Sequence, residues 1–63
     1  MQADRVWLVY ESVIAPTGKQ LKAARSIHSR DEEDVAAATT RQLTHDEPGH
    51  VFMYELFPIH VVR

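Results

Sequence analysis

The sequence predicts a small α+β domain in the order ββαβ, with a three-stranded antiparallel sheet and one helix packed on one face. Three observations predict it. Residues 5–14 and 51–62 are rich in β-branched and aromatic residues, which favour strands. Residues 16–18 read Pro-Thr-Gly, a turn signal that reverses the chain after the first strand. Residues 31–44 begin with acids and continue rich in alanine, which is typical of a helix because the helix dipole favours negative charge at its N-terminus.

The first strand is predicted over residues 5–14. Its alternation places apolar side chains on both faces, with Val6, Leu8, Tyr10 and Ile14 on one and Trp7, Val9 and Val13 on the other. After this strand, Pro16 fixes φ and Gly18 can adopt a positive φ, so we expect a hairpin.

The second strand is predicted over residues 20–28. Leu21, Ala23 and Ile27 share an alternation, but the run is the most polar of the three strands. Lysine and arginine discourage further strand pairing, so this strand suits an edge of the sheet. A helical interpretation of residues 21–27 stays open, because Leu, Lys and Ala favour helices.

The helix is predicted over residues 31–44. Ser29 and Glu32 match a capping box, in which the Ser29 hydroxyl accepts from the Glu32 amide and the Glu32 carboxylate reaches back to Ser29. Asp31 is a rival N-cap. The expected inward stripe is narrow and made mostly of small side chains: Val35 or Ala36, then Thr39 and Leu43.

The third strand is predicted over residues 51–62, after a Pro-Gly pair at 48–49 that ends the helix. It is apolar on both faces and therefore needs cover on both sides. Pro58 indicates either an edge position or a bend near Phe57. The helical connection lets this strand return beside the first, so we expect the first strand in the centre and the second at an edge.

The whole chain, residues 1–63, is expected to form one domain. A chain this short buries only roughly 60% of the surface that its unfolded form exposes, so it is marginally stable without help. It has no cysteine, which excludes disulfides and thiolate zinc sites and favours oligomerisation or a binding partner. The net charge of −2 argues against nonspecific nucleic-acid binding. No signal-like N-terminus or membrane-length apolar run is found, which predicts a soluble, cytoplasmic protein.

Apolar surface exceeds what one helix can cover. We expect the helix to cover the face that carries Leu8 and Tyr10. The partner-binding residues predicted from the opposite, uncovered face are Trp7, Val9, Val13, Phe52 and Tyr54. Each large apolar side chain left in water forgoes roughly 1.5–3 kcal/mol of burial, so such a patch predicts an interface with a host protein or a second copy. The alternatives are that the chain termini fold over this face or that the helix packs off-centre.

A second hypothesis is nucleic-acid binding. Four cations lie within residues 19–30 with no acid between them: Lys19, Lys22, Arg25 and Arg30. They predict a small basic edge that contacts phosphates, with an affinity that falls steeply with salt. The plainer alternative is a solvated edge strand protected by its charges.

No catalytic constellation, metal site or cofactor is predicted. Two histidines flank acids within residues 45–50, but this spacing in a loop is not that of a helical metal-binding pair. Glu11 and Glu55 lie on strands, and as cross-strand neighbours they could have raised pKa values suited to acid–base work. Pairing of these carboxylates with Lys22 or Arg5 is the plainer explanation.

The layout resembles that of a known class of proteins. The run Trp-Leu-Val-Tyr-Glu at 7–11, the Pro-Thr-Gly turn, the acid-started alanine helix and Val-Phe-Met-Tyr at 51–54 are together similar to small bacteriophage accessory proteins, in particular T7-type inhibitors of bacterial RNA polymerase. The resemblance concerns the order of elements over most of the chain, and it carries over no functional residue. It implies a phage or mobile-element factor that binds and modulates a host protein. The layout is also similar to HicB-like antitoxins, which have one more strand before the helix.

Overall fold

A computed structural model describes residues 4–59 and has the predicted ββαβ order. The elements are β1 (Asp4–Ile14), β2 (Gln20–Ser29), α1 (Glu33–Asp46) and β3 (Val51–Ile59). They form a three-stranded antiparallel sheet with one helix, which confirms the small α+β domain. The helix begins and ends two residues later than predicted. The last part of the predicted third strand, residues 60–62, lies outside the described range.

A tight turn joins β1 to β2. The Gly18 amide donates to the Ala15 carbonyl at 2.8 Å, and the Ala15 amide donates to the Lys19 carbonyl, also at 2.8 Å. Gly18 has a φ of +87°, a left-handed conformation that any residue with a side chain adopts only with strain. The Pro-Thr-Gly sequence therefore forms the predicted hairpin.

The strand order is β2-β1-β3, so the first strand is central and β2 lies at an edge, as predicted. The helical interpretation of residues 21–27 is wrong. Pro58 lies on the other edge strand, opposite Arg5. An edge strand tolerates proline because one row of its backbone groups has no strand to pair with.

The strand β2 contains one extra residue opposite β1. The register shifts between Val9, which pairs with Ser26, and Tyr10, which pairs with Ala24. Arg25 is therefore the unpaired residue of a β-bulge, and the alternation of β2 reverses there. Ile27 lies on the opposite face from Leu21 and Ala23, so the alternation predicted for these three residues is wrong.

The segment before α1 forms only part of the predicted capping box. The Glu32 carboxylate accepts from the Ser29 amide at 3.0 Å and from the Ser29 hydroxyl at 2.9 Å. The hydroxyl thus donates, and the Glu32 amide bonds instead to the Ser29 carbonyl at 2.9 Å. The bond from the Ser29 backbone, and then that from its hydroxyl, hold the pKa of Glu32 below its ordinary value. The N-cap is Glu32 itself, and neither Ser29 nor Asp31 caps the helix.

The helix covers the face of the sheet that carries Trp7 and Val9. Val9 and Ala36 have no exposed surface, and Phe52 is 8% exposed. We call this the helix face, which alternation and register assign to Trp7, Val9, Glu11, Val13, Phe52, Tyr54 and Leu56. The expectation that α1 covers the Leu8 and Tyr10 face is therefore wrong. Ala36 is the inward residue of the two proposed, because it has no exposed surface whereas Val35 is 39% exposed.

Candidate functional site

The opposite face of the sheet is not covered by any element that the structure describes. We call it the open face: alternate residues of β1 from Val6 to Ile14 and of β3 from Val51 to Ile59, together with Lys22, Ala24 and Ile27 of β2. Five of its large apolar side chains are exposed: Ile14 by 68%, Ile27 by 64%, Val51 by 58%, Met53 by 44% and Ile59 by 41%. The exposed apolar surface therefore lies on the face that the helix was expected to cover. The alternative cover, by the chain termini, falls on residues outside the described range.

Tyr10 lies in the middle of the open face, yet its side chain is only 2% exposed. Its hydroxyl donates to the Glu55 carboxylate and lies 3.7 Å from the Met53 sulfur. The Lys22 Nζ atom lies 3.4 Å from Glu55 Oε1 and 5.1 Å from the centre of the Tyr10 ring. These side chains cover the tyrosine and form a polar centre on the open face.

The side chains of the polar centre are hydrogen-bonded or ion-paired with one another. The hydrogen bond to Glu55, followed by burial and the carboxylate charge, raises the pKa of Tyr10 to about 12. The same hydrogen bond, and then the charge of Lys22, hold the pKa of Glu55 below its ordinary value. Lys22 and Glu55 therefore neutralise each other on the open face. The predicted pairing of a strand glutamate with Lys22 is confirmed.

The five predicted partner-binding residues all lie on the helix face. Val9 and Phe52 are buried, Trp7 and Val13 are half-buried, and Tyr54 is at the margin of exposure. The Trp7 Nε1–H donates to the Arg30 carbonyl at 2.8 Å, and its ring centre lies 5.6 Å from that of Tyr54. Trp7 thus fastens the loop before α1 to the sheet. The expectation that these residues are uncovered is wrong for the first four, because they lie on the face that the helix covers, whereas Tyr54 is 36% exposed.

The four cations of the predicted basic edge are not brought together. Lys22 lies on the open face, whereas Arg25 reaches the helix side and pairs with Glu47. Lys19 lies in the turn before β2 and Arg30 in the loop after it, at opposite ends of a ten-residue strand. Chain alternation and the bulge therefore divide these charges between faces and ends of the sheet.

A second cluster of charged residues joins β1, β2, the end of α1 and the start of β3. Arg25 makes two bonds to Glu47, at 2.6 and 3.2 Å, and lies 3.5 Å from Glu11. The His50 Nδ1 atom lies 2.5 Å from a Glu11 oxygen. The contact with Glu11 raises the pKa of His50, and the bond from Arg25 lowers that of Glu47.

The same cluster contains groups of the kind that bind metal ions. Ligand atoms of Glu11, Glu47 and His50 all lie within 4.8 Å of one another. The Arg25 guanidinium, however, already bonds to both carboxylates and would repel a cation placed between them. We therefore interpret the cluster as an ion-pair network that holds the end of the helix to the sheet.

Two further sequence interpretations are corrected by the structure. His45 lies in the last turn of α1 and not in a loop, so it is separated from the cluster around His50. Glu11 lies on the helix face and Glu55 on the open face, so they are not cross-strand neighbours.

The sequence contained a signal for most of the open face but not for all of it. Alternation alone groups Ile14 with Tyr10 and groups Val51 with Met53 and Ile59. Ile27 could not be assigned to this face, because nothing in the sequence marks the bulge.

Comparison with protein-family models, with curated proteins and with solved structures finds no match for this chain. Within the described residues, α1 is too short and too polar to cross a membrane.

Proposed function

We propose that this chain is a noncatalytic protein-binding module that docks through its open face onto an apolar protein surface with little net charge. The observation that carries the proposal is the exposure of five large apolar side chains on one face of the sheet. Exposed apolar surface that is concentrated on one face and bordered by polar residues is typical of protein interaction sites. Half-buried Val6, Leu8 and Phe57 extend this surface along the same face.

The charges of the open face favour a protein partner over a nucleic acid. Its cation, Lys22, is paired with Glu55, and Asp4 adds a negative charge at one end of the face. Proteins bind a phosphate backbone through cations that neutralise its charge. A face whose lysine is already paired with a glutamate therefore favours such binding little. The basic-edge hypothesis is not supported by the separate positions of its four residues.

The noncatalytic part of the proposal is supported by the pairing within the charged clusters. Tyr10, Glu55 and Lys22 contact one another, as do Arg25 and its two carboxylate partners. The layout resemblance to phage accessory proteins adds a biological context, a factor that modulates a host protein. That context stays a prediction.

A photo-crosslinking amino acid placed at Ile27 or at Leu21 tests the proposal in the native cell. Both positions are exposed on β2, but they lie on opposite faces of the sheet, so each controls for the other. We expect a saturable crosslink to a protein from position 27 and little from position 21. Crosslinks to nucleic acid from position 27, or equal protein yields from both positions, contradict the proposal.

A further inference from the structure

The folded chain is thin and has a small core. Its principal extents are 40 × 31 × 13 Å, which correspond to one sheet and one helix. The buried apolar side chains of the described residues are Val9, Tyr10, Ala36 and Phe52. A domain of this size is marginally stable, so the free energy available from covering the open face matters to the fold itself. A transient partner would supply that cover only intermittently.

We infer that the open face is covered by a second copy of this chain, with the two sheets packed against each other and the two helices outside. This inference rests on the proposed function, because it names the partner of the same face. A second copy is present whenever the chain is made, so it supplies cover continuously. The result is a layered dimer whose second core lies between the sheets.

The shape of the open face fits such a dimer. Two sheets pack face to face about 10 Å apart, with the side chains of their inner faces interdigitating. The sheet is three strands wide and its strands are 9 to 11 residues long, so the open face presents one side about 30 Å long to a second sheet. Ile27 and Val51 lie on opposite edge strands of the face, so both edges carry an exposed apolar side chain.

The charges of the open face also fit contact with itself. In a two-fold interface the same surface meets itself, so a face with one dominant charge would repel its copy. Here Lys22 and Glu55 are neighbours, and the Tyr10 hydroxyl already donates to Glu55. Covering this face leaves neither charge at its centre without a partner, so the larger penalty of an unpaired buried charge does not arise.

Sedimentation equilibrium of the purified chain over about 1 to 300 µM tests the inference with a matched pair of variants. We expect the wild type to have twice the 7.2 kDa chain mass. Ile27→Lys places a charge on the open face and should raise the dimer dissociation constant at least tenfold. Leu21→Lys makes the same change on the same strand but on the helix face, and should leave the constant within about twofold.

Nuclear Overhauser effects between a ¹³C-labelled copy and an unlabelled copy of the wild type locate the interface even where a variant fails to fold. We expect intermolecular contacts among the methyl groups of Ile14, Ile27, Val51 and Ile59. A monomer at every concentration overturns the inference, and so does a dimer whose contacts involve Leu21 or Val35. If the chain is a monomer, a crosslink from position 27 to a different protein would still support the proposed function. If that crosslink is also absent, both the dimer and the proposed function are refuted.

Discussion

Replacing Tyr10 by phenylalanine removes one hydroxyl from the centre of the open face and leaves the ring in place. The lost interaction is a hydrogen bond from a buried phenol to the Glu55 carboxylate. Glu55 keeps Lys22 at 3.4 Å and remains 43% exposed, so it is not left without partners. The loss in free energy of unfolding should therefore lie at the lower end of the range for hydrogen bonds to charged groups, about 1.5 kcal/mol. In a domain of this size that corresponds to a fall of roughly 6–12 °C in Tm.

The pH dependence of this difference gives a second, independent test. The pKa of Tyr10 is raised from 10.0 to about 12 in the folded state. A group whose pKa is raised on folding contributes its full stabilisation below the unfolded value and loses it as the pH rises through the folded value. The difference in free energy of unfolding between wild type and Tyr10→Phe should therefore be constant below pH 10.0 and should shrink as the pH rises toward 12.

Urea unfolding followed by fluorescence of Trp7, the single tryptophan, measures the loss in free energy of unfolding and its pH dependence at one fixed protein concentration. Tyr54→Phe is the control, because it removes a hydroxyl from a ring that is 36% exposed and should change stability by under about 0.5 kcal/mol. Equal effects of the two variants at neutral pH would refute the assigned role of the Tyr10 hydroxyl. A gap that stays constant up to pH 12 would refute the assigned coupling to Glu55.

Three further predictions concern the rest of the fold. Glu11→Gln should bring the pKa of His50 down toward 6.5, as followed by NMR titration. It should also remove a stabilisation that is present below pH 6.5 and is lost as the pH rises through the raised pKa of His50. An unchanged titration of His50 would contradict the contact with Glu11. Trp7→Phe should lower the free energy of unfolding by about 1 kcal/mol, measured by circular dichroism, because the bond to the Arg30 carbonyl is lost. Gly18→Ala should cost about 1–2 kcal/mol from backbone strain alone, since nothing lies within 4 Å of the added methyl, and Gly18→Asn should cost less.

The order of elements was predictable because its signals are local. The Pro-Thr-Gly turn, the acid-started alanine helix and the two apolar runs each specify their own segment. The central position of β1 was expected because the helical connection lets β3 return beside β1, and the polar character of β2 suited an edge. These inferences needed no knowledge of which residues meet across the sheet.

The face that the helix covers was not predictable, because β1 offers α1 two apolar faces of similar hydrophobicity. The faces differ in shape and in polar partners: Trp7 needs an acceptor for its indole N–H, and Tyr10 needs one for its hydroxyl. The structure supplies the first from the Arg30 carbonyl, in the loop that leads into α1, and the second from Glu55, on β3. Each acceptor is remote in sequence from its donor, so composition and alternation could not identify either.

The bulge in β2 explains why the two charged clusters and the apolar patch could not be assembled from the sequence. Without the extra residue, Arg25 and Ile27 would both follow the alternation of Leu21 and would share its face. With it, Arg25 reaches the helix side to bond with Glu47, while Ile27 moves to the open face and is 64% exposed there. One irregularity therefore fastens the end of the helix to the sheet and widens the apolar surface on the other side. That surface would be narrower by one strand if β2 kept a regular register.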